Sequence, residues 1–249
     1  MSPEGIYHKT GNYWNLLHSV NGLYVCKKVD GIRITPMVGF SGRDKYDRQF
    51  VGDIYSNFAA IERKADYLAF VARQLKEIVL PFIDDKTIIC ALPMGGDKLG
   101  TALQLALGID AIFLDKKVTA LATENSRQKT QLIFGRHEIE EDTKVIYVDD
   151  AYNNWKGIKD AINATLAAGG IPTLAAGFLN RSMTVRNVYK NEELSVEIPI
   201  RTLLNEPVEE YQQDNPEVVE DVERNNVAWE PKLKWTELMA AMHAIESCS

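Results

Sequence analysis

Asp149 and Asp150 stand side by side, directly after the apolar run VIYV at 145–148. Adjacent carboxylates at the end of a buried strand have two readings. They can accept hydrogen bonds from a ligand or approach Mg2+, or they can cap the helix that follows. The residues that follow them are large: Asn153, Asn154, Trp155 and Lys156 precede Gly157. Earlier in the chain, PMGGDK sets Gly95 and Gly96 together. Paired glycines leave backbone N–H groups open to an anion, or make only a tight turn. A third feature is the long polar stretch over 116–142, whose length inside a compact domain marks a functional or mobile loop.

These groups need a scaffold, and the apolar pattern supplies one. Over 64–80, Ala65, Leu68, Ala69, Ala72, Leu75 and Val79 fall on one helical face, and Pro81 ends the run. Residues 87–92 read as a buried strand, PMGGDK as a turn, and LGTALQLALG as a helix closed by Gly108. A second buried strand is expected over 109–115. The polar stretch holds one β-like piece near 131–134. A strand over 144–148 leads through the acids into a helix carrying Trp155, Ile158, Ala161, Ile162, Thr165 and Leu166 on its apolar face. Gly169, Gly170 and Pro172 stop that helix. Further strands follow over 173–179 and 196–204, and an amphipathic helix over 235–245. Buried strands alternating with helices specify an α/β protein with a parallel sheet flanked by helices. In such sheets ligands bind at the carboxyl ends of the strands, where all three features lie.

Composition narrows the function classes. The net charge is −7, and eight acids against one base fall between Glu206 and Arg224. The rest of the chain is balanced, so that segment reads as a solvated, loosely structured connector. No compensating basic stripe exists, which disfavours nucleic acid. No run of about 18 apolar residues exists, so no membrane span is expected. The start of the sequence lacks a basic region before an apolar core, so no secretory signal is expected. Cys26, Cys90 and Cys248 are far apart without a CxxC pair. That usage fits a cytoplasmic protein with neither a disulfide framework nor a zinc site.

An apolar strand ending in two acids, then a short loop and a helix, resembles the phosphoribosyl pyrophosphate (PRPP) motif of type I phosphoribosyltransferases. Within that family the order of motifs over 86–204 most resembles orotate phosphoribosyltransferase. The two glycines before LGTALQLALG resemble its pyrophosphate loop, IFLDKK its strand ending in Arg-Lys, and GFLNRS a strand end whose arginine faces orotate. DIYSNFAAIERKADYLAFVARQL resembles its N-terminal aromatic segment and first helix. The resemblance implies a hood-like segment over 1–63, a phosphoribosyltransferase core over 64–204, and an acidic connector with a C-terminal helix over 205–249.

It also implies roles. Asp149 and Asp150 would accept hydrogen bonds from the ribose hydroxyls and favour positive charge on an oxocarbenium-like ring. Met94, Gly95, Gly96, Asp97 and Lys98 would line the pyrophosphate, with Lys116 and Lys117 as catalytic cations. Asn153, Asn154, Trp155, Lys156 and Gly157 would hold the 5′-phosphate. Arg181 would pair with a carboxylate on the base. Phe58 is either a stacking surface for that base or a plain core residue. Mg2+ would be held by substrate oxygens and water, with no protein cage. A homodimer taking PRPP and a nucleobase is implied.

Two places depart from the family. Its phosphate loop carries small residues, whereas Trp155 and Lys156 stand here where glycine is usual. Trp155 also fits the apolar face of the next helix, which would turn it away from the phosphate. In the lid, Asp115 replaces the arginine of the Arg-Lys pair, and Thr119 and Leu121 fall where a lysine and a histidine are usual. Arg127, Lys129, Arg136 and His137 lie further along as substitutes. These departures keep a second reading open, a protein of the same fold that binds PRPP or a nucleotide as a regulator. A third reading is an unrelated doubly wound nucleotide-binding domain, although neither GxGxxG nor GxxxxGK[ST] occurs.

Overall fold

A computed structural model describes residues 2–120 and 129–246. The chain forms two compact units: residues 62–206, and residues 1–61 together with 207–249.

The first unit is built on helix α1 (Ala65–Val79) and strand β1 (Thr87–Ala91), then helix α2 (Gly96–Leu107) and strand β2 (Ala111–Phe113). Strands β3 (Asp115–Ala120) and β4 (Lys129–Ile133) follow, then β5 (Lys144–Tyr152) and helix α3 (Lys156–Ala167). Strands β6 (Ile171–Asn180), β7 (Val188–Asn191) and β8 (Val196–Asn205) complete it. Six strands form one sheet in the order β7-β8-β6-β5-β1-β2, all parallel except the β7 edge. The expected α/β sheet is therefore present. Its central strands read as continuous apolar runs because both faces are covered: Ile89, Cys90, Val145 to Val148 and Leu174 to Ala176 are all buried.

Helix α1 buries Tyr67, Phe70, Val71, Ala72, Leu75 and Val79. The expected face included Ala65 and Ala69, which are exposed. The helix is rotated to bury two aromatic rings, which remove far more apolar area from water than two alanines.

Three elements differ from the sequence reading near the site. Helix α2 starts at Gly96, so Asp97 and Lys98 belong to its first turn and not to a loop. The Gly96 N–H donates to the Leu92 carbonyl at 2.9 Å, closing that turn early, and Asp97 suits the positive end of the helix dipole. Strand β5 does not stop at the acids. It runs on to Tyr152 because β6 continues beside it, with Asp149 opposite Gly177, Ala151 opposite Leu179 and Tyr152 opposite Asn180. The long polar stretch is bounded by an antiparallel ribbon, β3 with β4, in which Lys116 faces Leu132 and Lys117 faces Gln131.

In the second unit, strands Met37–Arg43, Gln49–Gly52 and Val227–Ala228 form a three-stranded sheet. The C-terminal helix is Trp235–Glu246. The acidic segment is not loosely structured. Tyr211 exchanges two backbone hydrogen bonds with Val51, at 3.0 and 2.8 Å, and Val208 and Val218 are buried. Asp221 is buried too, paired with Arg33. Apolar anchors between the acids hold the segment down, a signal that charge counting passes over.

Candidate functional site

The carboxyl ends of β1 and β5 bring the glycine pair and the acid pair together. After β1, Leu92 donates its N–H to the Val148 carbonyl at 2.9 Å, which ties the following turn to the end of β5. The Pro93–Met94 peptide in this turn is cis. The turn then passes so close to β5 that side chains are excluded. A Cβ on Gly95 would stand 2.1 Å from Asp150 Oδ1, and one on Gly96 would stand 2.2 Å from the Val148 carbonyl oxygen. At Gly96 the obstacle is backbone and glycine is required, whereas at Gly95 an added Cβ would displace the Asp150 carboxylate.

Asp149 Oδ1 accepts a hydrogen bond from the Asp150 backbone N–H at 2.9 Å. Burial pushes the Asp149 carboxyl well above the usual carboxylate range, and the negative charges of Asp150 and Asp97 push it the same way. Neither acid caps α3. The residue at its N-cap is Trp155, whose own side chain accepts no capping bond. What the pair offers is a set of hydrogen-bond acceptors on a strand, beside a turn whose glycines let the backbone come close.

The loop after the acids is shaped by aromatic packing. Trp155 lies outside the helix, with φ 60° and ψ 9°, a left-handed conformation in which glycine is favoured. Its ring is buried between Tyr152, at 4.7 Å and nearly parallel, and Tyr189, at 5.5 Å. The Tyr152 hydroxyl lies 3.0 Å from the Tyr147 carbonyl and 2.9 Å from that of Ala176, and donates to one at a time. The indole therefore faces the core, as its fit to an apolar face suggested. Asn154 Oδ1 accepts from the Lys156 N–H at 3.2 Å, and the Lys156 side chain is exposed at the start of α3. Asn153 is half-buried, and a Cβ on Gly157 would make only ordinary contact with Leu92, at 3.4 Å.

The other candidates are placed as follows. Lys98, on α2, pairs with Glu62 at 2.9 Å. Met94 is exposed on the turn. Lys117 is exposed on β3, while the side chain of Lys116 lies outside the described residues. Asp115 lies 3.9 Å from Arg136, and the His137 ring is 6.0 Å from Phe113 at the foot of the ribbon. Arg127, Leu121 and the side chains of Thr119 and Lys129 lie outside the described residues. Arg181 follows β6 directly, and its N–H donates to the Tyr152 carbonyl at 3.0 Å. Phe58 is buried in the other unit.

Sequence reasoning passed over Tyr152, Tyr189, Asn180 and Arg186. Asn180 Nδ2 reaches the Val185 and Arg186 carbonyls at 2.9 Å and Asn205 Oδ1 at 3.0 Å. Arg186 donates to the Ser182 carbonyl at 2.8 Å, so the loop carrying Arg181 is held from within. A buried asparagine at the end of an apolar strand was the available signal. Among the described residues, no group of three or more His, Cys, Asp or Glu is arranged to hold a metal ion.

This chain has the fold of the type I phosphoribosyltransferases. It is similar to the orotate phosphoribosyltransferase of Aeropyrum pernix, with a TM-score of 0.51 and 14% identity over 77% of this chain and 94% of that one. Solved structures like it also include the adenine phosphoribosyltransferase of Trypanosoma brucei (TM-score 0.46, 13% identity, 69% of this chain and 76% of that one). Another is the orotate phosphoribosyltransferase of Mycobacterium tuberculosis H37Rv (TM-score 0.42, 17% identity, 68% and 89%). No family model matches the sequence, and no curated protein matches it. No helix among the described residues is long and apolar enough to cross a membrane.

Proposed function

We propose that the chain is a phosphoribosyltransferase that transfers ribose 5-phosphate from PRPP to a nucleobase, orotate in the first instance, with release of pyrophosphate. The observation that carries this reading is the contact between the Asp150 carboxylate and the Gly95 backbone. It sets acceptors for ribose hydroxyls beside backbone donors for pyrophosphate, the two halves of one substrate. Asp149 and Asp150 would fix the ribose through its hydroxyls and favour positive charge as the glycosidic bond lengthens. The N–H groups at Gly95 and Asp97, with Lys98 and Lys117, would hold the departing pyrophosphate, and Gly96, whose N–H is bonded to Leu92, would let the backbone come close. The backbone from Asn154 to Gly157 and the Lys156 ammonium would hold the 5′-phosphate at the start of α3. Arg181 would meet a carboxylate on the base. The close carboxylates Asp149 and Asp150 are hard oxygen donors of the kind Mg2+ approaches through its water shell, and the ion would neutralise pyrophosphate charge. A homodimer in the cytoplasm completes the proposal.

A regulator that binds PRPP without transfer is the second reading. It is favoured by Asp115 at the foot of the ribbon, where the resemblance expects an arginine. Titration calorimetry with PRPP and Mg2+, followed by pyrophosphate release with orotate, hypoxanthine and uracil, separates the two. Release with orotate alone supports the first reading as stated, and release with another base moves the acceptor. Binding without release for any base leaves the regulator. Absence of binding removes both.

A further inference from the structure

Lys98 is the cation next to the glycine pair. It lies three residues after Gly95, whose backbone is already helical at φ −71° and ψ −37°. Residues three apart share one side of a helix, with Cβ atoms about 5–6 Å apart. The side of α2 that meets Asp150 at Gly95 is therefore the side that carries Lys98. Its ammonium nevertheless turns to neither Asp150 nor Asp97. It donates to Glu62 Oε2 at 2.9 Å. Glu62 stands three residues ahead of α1, in the same unit.

The two partners are unequally placed. The Lys98 side chain is 64% exposed, and that of Glu62 only 9%. Among the described residues, neither has another ion-pair partner. A pair exposed on both sides contributes little, because water replaces either partner. A buried carboxylate that loses its one cation stays unpaired, which is costly. Drawing Lys98 away from Glu62 is opposed on that account. Glu62 also keeps a negative charge beside any anion that Lys98 meets.

We infer that Glu62 is a positioning residue that acts through Lys98, restraining the ammonium so that pyrophosphate is held less tightly and can leave. The inference rests on the proposed transferase reading, in which Lys98 meets pyrophosphate. Release of product sets the turnover of many enzymes, so a restraint of this kind has a use. The test titrates inorganic pyrophosphate with Mg2+ into the full chain by calorimetry. Glu62→Gln keeps the size and an acceptor oxygen while removing the charge, and its thermal unfolding should match that of the parent. It should bind pyrophosphate about threefold to tenfold more tightly. A residue that only braced the fold would give the opposite sign. Lys98→Met should bind more weakly, and Glu62→Gln added to it should recover little, since the effect runs through the ammonium. Unchanged or weaker affinity in Glu62→Gln would overturn the inference and leave the transferase reading standing. An equal gain with and without Lys98, or a Glu62→Gln chain that no longer folds, would do the same. A parent that binds no pyrophosphate removes the transferase reading and the inference together.

Discussion

The Asp150 carboxylate lies over the backbone of Gly95, so close that an added Cβ would stand 2.1 Å from Oδ1. Gly95 has φ −71° and ψ −37°, which alanine adopts freely, and the nearest atoms to a methyl group there all belong to the Asp150 side chain. Gly95→Ala should keep its stability and, on the proposed role of Asp150 at the ribose, lose PRPP affinity by at least about tenfold. At Gly96 the obstacle is the Val148 carbonyl, which is backbone and cannot turn aside. Gly96→Ala should lose about 1–3 kcal/mol of stability. Urea unfolding beside PRPP calorimetry distinguishes them; equal stability losses in both would sink the assignment.

Trp155 holds a left-handed backbone for the sake of its ring. Replacing it with glycine relieves about 1–2 kcal/mol of backbone strain but removes a large buried ring, at about 3–5 kcal/mol. Trp155→Gly should therefore be destabilising by about 1–4 kcal/mol, even though glycine suits a left-handed backbone. Trp155→Phe keeps a ring against Tyr152 and Tyr189 and removes an indole N–H that has no hydrogen-bond partner. It should cost no more than about 1 kcal/mol. Urea melts of both variants check the order; a glycine variant as stable as the parent would mean the ring contributes nothing.

The sheet was legible because strands such as TIICA and KVIYV are apolar on both faces and alternate with helical runs. The acids and the glycine pair were legible from their place at strand ends. The start of α2 was not, because a glycine pair reads as a turn whether or not a helix begins inside it. Nor was the continuation of β5 to Tyr152, since pairing with β6 decides it and that pairing is remote in sequence. The conformation of Trp155 was hidden for a different reason. Its ring is held by Tyr189, 34 residues away, and local propensity says nothing of such a partner.

Asp149 gives a pH signature with a definite sign. Its folded carboxyl titrates well above the ordinary value of about 4, because burial and the neighbouring acids oppose its charge. A group raised in this way favours the fold at pH below its unfolded value, and that contribution is lost as pH rises through the folded value. Asp149→Asn removes the charge that is disfavoured in the fold. The variant should be more stable than the parent at pH 7, and the gain should shrink as pH falls toward about 4. On the proposed role of Asp149 as a ribose acceptor, PRPP binding should fall in the same variant. Urea midpoints from pH 4 to 8 check this; a variant less stable at pH 7 and recovering at pH 4 would reverse the sign.

Arg33 organises the other unit. Its Nε and Nη2 grip both oxygens of Asp53, at 2.6 and 3.1 Å, while Nη1 reaches Asp221 at 3.2 Å and the Glu217 carbonyl at 2.7 Å. The side chains of Arg33 and Asp221 are 6% and 9% exposed, so water does not replace a lost partner. Burial alone would raise the Asp53 carboxyl, yet Arg33 and Lys28 hold it below the usual range. Arg33→Leu leaves Asp53 to Lys28 alone and takes from buried Asp221 its Arg33 partner, and should cost about 3–5 kcal/mol. Arg33→Lys keeps the charge but not the fork that meets both oxygens, so it should lose less, about 1–3 kcal/mol. The sign with pH is opposite to that at Asp149. A lowered carboxyl stabilises above its unfolded value and loses that contribution as pH falls through the folded one. The gap between parent and Arg33→Leu should therefore be full at pH 7 and narrow toward pH 3. Guanidinium melts at the two pH values read that gap, and a gap independent of pH would mean that Arg33 acts through packing alone.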